Sequence, residues 1–134
     1  RESCVIYSLL VLSSPVSGHG SRHAVAFAKA VLARGHTLRR VFFLDAGTLT
    51  SSASSALPQD EEAQIANWIA LAEEKNIELA ICITSALRFG MLDAAEATRH
   101  ECAAATINPA FIISGLGDLV DACNGVDRLV TFGG

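Results

Sequence analysis

The sequence predicts one α/β domain spanning residues 1–134, a three-layer α/β/α sandwich around a mostly parallel, five-stranded sheet. Short apolar runs alternate with amphipathic segments in the order βαβαβαβαβ, which is typical of a parallel sheet with helices on both faces. The apolar runs are continuous, as expected for strands covered on both sides. A length of 134 residues suits a single domain, and no internal repeat or linker divides the chain.

The five predicted strands follow the apolar runs along the chain. The first, second and fifth contain VIYSLLVL, VFFL and RLVTF, and the third contains LAICI. None approaches the roughly 20 residues of a membrane span. We expect strands at Cys4–Leu12, Leu38–Leu44, Leu79–Ile83, Ala110–Ser114 and Arg128–Phe132.

The helices are predicted from apolar residues at helical spacing. The first covers Ser21–Arg34 and is ended by Gly35, a glycine suited to the left-handed conformation after a helix. The second starts near Asp60 and ends at Lys75, and the third covers roughly Asp93 to Ala104. A short fourth helix follows the GLG turn at 115–117, where Asp118 and Asp121 favour the first turn by charge.

Two segments of the sequence have a less regular pattern, namely Asp45 to Pro58 and the start of the chain. The stretch Asp45 to Pro58, rich in Ser, Thr and Ala, is predicted to be a long loop, which in a compact domain is usually functional or mobile. The start of the chain resembles a short signal peptide, but Glu2 and Pro15 spoil that pattern and no initiating Met is present. We therefore interpret Cys4 to Leu12 as a strand.

Composition limits the classes of partner. With 51% hydrophobic and 18% charged residues, the chain has enough apolar material for a core and a subunit interface. The formal charge of -4 argues against direct nucleic-acid binding, which needs a basic face. Four scattered cysteines without CxxC or zinc-finger spacing favour free thiols in a reducing compartment, and hence a cytoplasmic location.

The most suggestive candidate site is Cys82, at the end of the third predicted strand. Thr84 or Ser85 could cap a short helical turn that contains Arg88 and ends at Gly90. Ligands of open α/β sheets bind beyond the carboxyl ends of strands. The helix N-terminus and Arg88 would both favour thiolate over thiol, although a strand cysteine is often only a packing residue.

Other candidate residues have structural explanations. The SGHGS segment at 17–21 could cradle an anion before the first helix, but it is neither GxGxxG nor a P-loop. His19 and His23 lie beside it and could act as acids or bases, although exposed loop histidines are usually idle. We interpret Cys4, Cys102 and Cys123 as packing residues.

Nearly the whole chain resembles the DsrE/TusD group of sulfur-relay proteins. The resemblance is carried by GSRHAVAFAKAVLARGHTL, VFFLDAG, ICITSALRFGMLDAAEA, FIISGLGDLVDA and DRLVTF. The ICxxxALRxG pattern is the most specific, because in the group it contains the sulfur-carrying cysteine. The SGHGSR loop departs modestly from the group, and nothing is carried over to Asp45–Pro58.

The resemblance implies a flavodoxin-like DsrE fold and a sulfurtransferase without cofactor or metal. Cys82 would accept sulfane sulfur as a persulfide, supported by Thr84, Ser85 and Arg88. The group assembles from TusD-, TusC- and TusB-like, or DsrE-, DsrF- and DsrH-like, subunits as a hexamer. An upstream protein donates the sulfur, and a DsrC/TusE-like carrier takes it on to tRNA thiolation or sulfur oxidation.

Two alternatives remain open at this point. The chain could be a structural subunit of the same assembly in which the thiol is unused. It could also be a flavodoxin-like small-molecule binder that uses the SGHGS loop. Bound flavin would give the purified protein a yellow absorbance, which would distinguish the second alternative.

Overall fold

The computed structural model describes residues 4–17, 19–54 and 64–134. Five parallel strands form one sheet with the order β4-β3-β2-β1-β5. This confirms the α/β class, and every strand in the sheet is parallel. The strands are β1 (Ile6–Val11), β2 (Thr37–Phe43), β3 (Glu78–Cys82), β4 (Phe111–Ser114) and β5 (Arg128–Phe132).

Among the residues that the structure describes, five α-helices and one 3-10 helix join these strands. The α-helices are α1 (Gly20–Ala33), α2 (Gln64–Lys75), α3 (Ile83–Arg88), α4 (Ala94–Arg99) and α5 (Leu116–Cys123). As predicted, Gly35 has a positive φ of 80° just after α1, a conformation that glycine adopts without steric strain. Ser14–Ser17, at the start of the β1–α1 connection, lie outside every helix and strand.

The two faces of the sheet are covered unequally. Leu9, Val41 and Ile81 belong to a large buried cluster that includes residues of α1 and α2, with Trp68 fully buried. A smaller cluster of Phe42, Ala80 and Cys82 packs against Leu10, Leu44 and Leu119, the last from α5. Side chains alternate between the faces along each strand, so helices lie on both sides as the sandwich predicts.

β3, the strand that ends at Cys82, is an interior strand of the sheet. β2 is central, while β3 lies between β2 and the edge strand β4. The apolar run of β3 does report burial on both faces, since Leu79, Ala80, Ile81 and Cys82 are all buried. A continuous apolar run indicates that a strand is buried on both faces, but it does not indicate how far the strand lies from the edge of the sheet.

The predicted long loop is partly wrong. Asp45–Ser51 forms a 3-10 helix in which Gly47, Thr48, Thr50 and Ser51 are buried. The Thr48 hydroxyl donates to the Asp45 carbonyl at 2.8 Å, and the Ser51 hydroxyl donates to the Thr48 carbonyl at 2.7 Å. Small hydroxyl side chains therefore stabilise this segment locally. The stretch from residue 55 to Pro58 and the predicted start of the second helix at Asp60 lie outside the described residues.

The third predicted helix is also too long. α4 ends at Arg99, and Glu101 has a positive φ of 56°. The Cys102 N–H donates back to the Ala97 carbonyl at 2.8 Å, which closes the helix in the manner of a Schellman motif. The run CAAA after Glu101 has helical propensity, but it is not helical here.

Candidate functional site

Cys82 is the last residue of β3 and the N-cap of α3, where it has φ -68° and ψ 126°. The expected strand-to-helix junction is therefore present. The expected caps are wrong, because the helix begins at Ile83, before both Thr84 and Ser85, and has no side-chain cap. The thiol lies at the carboxyl edge of the sheet, in register with Ser114 of β4.

Ser85 is fixed by a contact outside α3. Its hydroxyl oxygen accepts a 2.9 Å hydrogen bond from the Asp45 N–H, and the side chain is buried. This bond ties the first turn of α3 to the start of the 3-10 helix. Thr84, in the same turn, is exposed.

Arg88 lies in the last turn of α3 and is exposed. Five residues of helical rise, about 8 Å, separate it from Ile83 at the other end. A cation at this end is favourable to the helix dipole. Gly90, with a positive φ of 74°, follows the helix as predicted, and the Met91 N–H donates to the Ala86 carbonyl at 2.7 Å.

Cys82 is buried, with only 1% of its surface exposed. Its cluster partners Phe42 and Ala80 lie on the sheet, and the cover is made by Leu10, Leu44 and Leu119. Leu119 is the contribution of α5, so this helix lies over the cluster that contains the thiol. Local sequence patterns do not predict this cover, because Leu10, Leu44 and Leu119 are distant from one another in the chain.

Two arginines of β2 hold α5 in place. The Arg40 guanidinium donates to the Asp118 carbonyl at 2.9 Å and forms an ion pair with Glu78 of β3. The Arg39 guanidinium donates to the Asn124 carbonyl at 2.9 Å, just beyond the end of α5. Asp118 lies in the first turn of α5 as expected, and its carboxylate accepts from the Gly115 N–H at 3.3 Å. The same expectation for Asp121 is wrong, because that residue lies beyond the first turn.

Most of the apolar stripe of α5 is exposed and does not pack against the rest of the chain. Leu116, Leu119, Val120 and Cys123 fall on one side of the helix at i, i+3, i+4 and i+7 spacing. Only Leu119 is half-buried, whereas Leu116 is 57% and Val120 63% exposed. Ile112 of the edge strand β4 is 44% exposed as well. An exposed apolar surface of this kind is typical of protein–protein contacts.

The predicted packing role of the other three cysteines is wrong. Cys4, Cys102 and Cys123 are all exposed, while Cys82 is the buried one. Cys4 precedes β1, with its sulfur 3.4 Å from the Thr37 hydroxyl. Cys102 lies beyond the shortened α4, and Cys123 ends α5 on its exposed stripe. Cys4 and Cys102 are exposed because β1 begins only at Ile6 and α4 already ends at Arg99, so neither cysteine lies in the element predicted for it.

The SGHGS segment contributes the start of α1, with His19 as the N-cap and Gly20 as the first residue. The rings of His19 and His23 are stacked with centroids 6.2 Å apart, and both residues are exposed. Ser21 is buried and its hydroxyl has no hydrogen-bond partner among the described residues. Gly18 lies outside the described residues.

Two further tests concern metals and membranes. Within the described ranges, no three His, Cys, Asp or Glu side chains come together in a way that could hold a metal ion. In the same part of the chain, no helix combines the length and apolar character that crossing a bilayer requires.

Comparison with known proteins identifies close relatives over nearly the full length. A protein described as a putative sulfurtransferase DsrE from Allochromatium vinosum is 39% identical over 127 residues, covering 95% of this chain and 98% of the relative. Sulfurtransferase TusD of Serratia proteamaculans is 41% identical over 124 residues, covering 92% and 96%. A TusD homolog of Pseudomonas aeruginosa is 38% identical over 125 residues, covering 93% and 95%.

A solved structure supports the fold. The crystal structure of the ychN protein from E. coli superimposes with a TM-score of 0.74, covering 97% of this chain and 100% of that one, at 14% sequence identity. Residues 7–132 match the model of the DsrE/DsrF-like family, a span from β1 to the last residue of β5. The chain therefore belongs to the DsrE/DsrF-like family.

Proposed function

We propose that this chain is a sulfurtransferase subunit of a sulfur relay, in which Cys82 accepts sulfane sulfur as a persulfide and passes it on. The observation that carries the proposal is the position of Cys82, at the carboxyl end of β3 and the N-cap of α3. The relatives named sulfurtransferase TusD and DsrE support the general activity. The role of Cys82 as the sulfur carrier and the identity of its partner proteins are what we propose.

The transfer needs two exchange steps and no external oxidant. The Cys82 thiolate attacks the outer sulfur of a donor persulfide, forming a new S–S bond while the donor's S–S bond breaks and the donor leaves as a thiolate. An acceptor thiolate then attacks the outer sulfur of the Cys82 persulfide, and Cys82 leaves as a thiolate. One sulfur atom moves in each step, and the balance of oxidation states is unchanged.

Burial of the thiol sets a structural requirement. A side chain with 1% exposure is out of reach of another protein's thiolate, so transfer requires the cover over Cys82 to open. α5 contributes Leu119 to that cover and is attached to the sheet through two arginine–carbonyl contacts. We propose that its displacement gives access to Cys82.

We propose that Thr84, Ser85 and Arg88 support sulfur transfer at Cys82. Thr84 is exposed beside Cys82 in the first turn of α3, where its hydroxyl could donate to a bound persulfide. Ser85 would act by fixing that turn through Asp45. Arg88, at the far end of α3, would contribute positive charge to the surface that meets an incoming anionic partner.

We propose that the subunit works in the cytoplasm within an oligomer. Partners would be TusB/TusC-like or DsrF/DsrH-like subunits, an upstream sulfur donor and a DsrC/TusE-like acceptor, in tRNA thiolation or sulfur oxidation. Exposed Leu116, Val120 and Ile112 support an interface on the α5 side. Light scattering should give a trimer, hexamer or other oligomer, and a clean monomer at micromolar concentration that needs no partner for solubility would contradict this.

Intact mass after incubation with a persulfide donor tests the function. Wild-type protein should gain the mass of one sulfur atom on Cys82, removable by a reducing thiol. Cys82→Ala should gain none there, while Cys102→Ser, which changes an exposed thiol, is the matched control and should load Cys82 normally. Peptide mapping locates the sulfur, because exposed thiols can also react. Normal loading of a Cys82→Ala protein at one specific other cysteine would reject the site.

The burial of Cys82 favours a second candidate, a structural subunit whose thiol is unused. In that case the wild-type protein would never load sulfur at Cys82, even with partner subunits present. Loading that appears only with partners would instead indicate that assembly opens the α5 cover.

A further inference from the structure

A cavity of about 240 Å³ lies at the amino edge of the sheet, beside the last turns of α1. Its lining is formed by Tyr7, Phe27, Ala30, Val31, Arg34 and His36. Tyr7 is the second residue of β1, and His36 immediately precedes β2. The strands are parallel, so their amino ends share one edge, whereas Cys82 ends β3 at the opposite edge. The five residues of β3 span about 16 Å, so this cavity is separate from the proposed sulfur site.

Three rings contribute to the wall of the cavity. The centroid of the Tyr7 ring lies 5.6 Å from that of Phe27 and 6.0 Å from that of His36, and both pairs meet edge to face. Phe27, Ala30, Val31 and Arg34 recur at i, i+3, i+4 and i+7 spacing, which places them on one side of α1 and its C-cap. An apolar wall of rings with a few polar groups beside it is typical of small-molecule sites.

The His36 ring is held in one tautomer. Its Nδ1 atom accepts a 3.0 Å hydrogen bond from the Val5 N–H, so the proton of the neutral ring is on Nε2. The His36 backbone N–H donates to the Val31 carbonyl at 3.1 Å, which fixes the residue against α1. Among the described residues, Nε2 has no hydrogen-bond partner, and it is not one of their buried unpaired atoms. The Nε2–H is therefore an oriented donor that a ligand can reach.

Arg34 supplies a positive charge at the same place. It is the exposed C-cap residue of α1, and its guanidinium makes no ion pair or hydrogen bond with any residue that the structure describes. None of the residues that line the cavity is acidic. A guanidinium binds a carboxylate through two parallel N–H···O bonds, and the His36 Nε2–H can donate a third. These groups favour an anionic ligand, and the rings favour an apolar body.

We propose that this cavity binds a small aromatic carboxylate. The carboxylate pairs with Arg34 and accepts a hydrogen bond from His36, while the aromatic body packs against Tyr7 and Phe27. Sites for drug-sized ligands enclose about 300–1,000 Å³, so the smaller volume here suits a compound with a single ring. The site is independent of the sulfur chemistry, and Cys82→Ala should bind the ligand as the wild-type protein does.

Titration calorimetry with benzoate tests the proposal. Saturable one-to-one binding is expected, and two comparison ligands should each bind at least tenfold more weakly: benzamide, which keeps the shape without the charge, and acetate, which keeps the charge without the ring. Equal binding of benzamide would overturn the assignment of a carboxylate, and equal binding of acetate would overturn that of an aromatic body. The absence of saturable binding at millimolar benzoate would overturn the site itself.

Two arginine variants locate the binding. Arg34→Gln should weaken benzoate binding about tenfold, because it removes hydrogen bonds between charged groups. Arg22→Gln is the matched control, since it changes another exposed arginine, at the opposite end of α1, and it should bind benzoate as the wild-type protein does. Unchanged binding in Arg34→Gln, or an equal loss in Arg22→Gln, would overturn the site.

Proton NMR of the wild-type protein gives a test that depends on no variant. The chain contains a single tyrosine, so the ring resonances of Tyr7 are unambiguous. Benzoate should shift them, because the ring current of the bound ligand acts at short range. It should also shift the ring resonances of His36 more than those of His23, which is exposed near the start of α1. Unchanged Tyr7 resonances at saturation, or a larger shift at His23 than at His36, would overturn the proposal.

Discussion

Replacing Leu119 by Ala tests whether α5 is what shields Cys82. Leu119 packs against the cluster that contains the thiol, and it is half-buried. Truncating a fully buried leucine costs about 2–5 kcal/mol, so for this side chain we expect about 1–2 kcal/mol. If that loss weakens the docking of α5, the open population rises roughly 5–30-fold. Alkylation of Cys82 should accelerate by the same factor when closing is faster than the reaction.

The assay is a time course with iodoacetamide, followed by peptide mapping to separate the four cysteines. Exposed Cys4 gives the reference rate in each sample. Leu116→Ala is the matched control on the same helix, because a side chain with 57% exposure should alter the Cys82 rate by no more than about twofold.

A second control separates local opening from global unfolding. Val31→Ala removes buried volume from α1, on the opposite side of the sheet from α5. It should lower the free energy of unfolding without loosening α5. An unchanged Cys82 rate in Leu119→Ala, or an equal acceleration in Val31→Ala, would refute α5 as the cover.

Three further outcomes are expected. In the wild-type protein, alkylation should reach Cys82 last, and peptide mapping that finds it first would contradict its burial; the three exposed cysteines should react earlier, namely Cys4, Cys102 and Cys123. Cys82→Ser should be about 1–3 kcal/mol less stable than Cys82→Ala in urea unfolding, because a hydroxyl enters an apolar cluster. Gly47→Ala should be destabilised by about 1–3 kcal/mol, since its Cβ would lie 2.1 Å from the Val11 carbonyl oxygen. Gly117 lies inside α5 with open space around it, so Gly117→Ala should instead raise the free energy of unfolding by up to about 1 kcal/mol. Thermal unfolding of the two glycine variants checks this, and a Gly47→Ala protein more stable than Gly117→Ala would contradict it.

The sheet was predictable because burial on both faces leaves a direct trace in the sequence. The bounds of β5 agree with the structure, and β3 differs by one residue at each end. The junction at Cys82 could also be predicted, since an apolar run followed by small polar residues indicates a strand that turns into a helix. Local patterns were sufficient for these elements.

The environment of the thiol could not be predicted in the same way. Its cover comes from Leu119, which lies far along the chain, and its attachment from Arg39 and Arg40 in a different strand. Ser85 has the residue type of a helix cap, but a tertiary contact with Asp45 uses its hydroxyl. Contacts between distant segments therefore determine that Cys82 is the buried cysteine, whereas residue type alone led to a packing role for the three cysteines that are exposed.

The pairing of β1 with β5 has a consequence for how the chain folds. The Asp127 carboxylate accepts from the Ile6 N–H across a separation of 121 residues, and β5 is the neighbour that covers one side of β1. Closing so large a loop is slow compared with forming local structure. On a ribosome, β2 can join β1 early, but the other edge of β1 stays open until β5 has emerged. During that interval the apolar segment Tyr7–Val11 is a template for pairing with other chains, so this step is where aggregation competes most directly with folding.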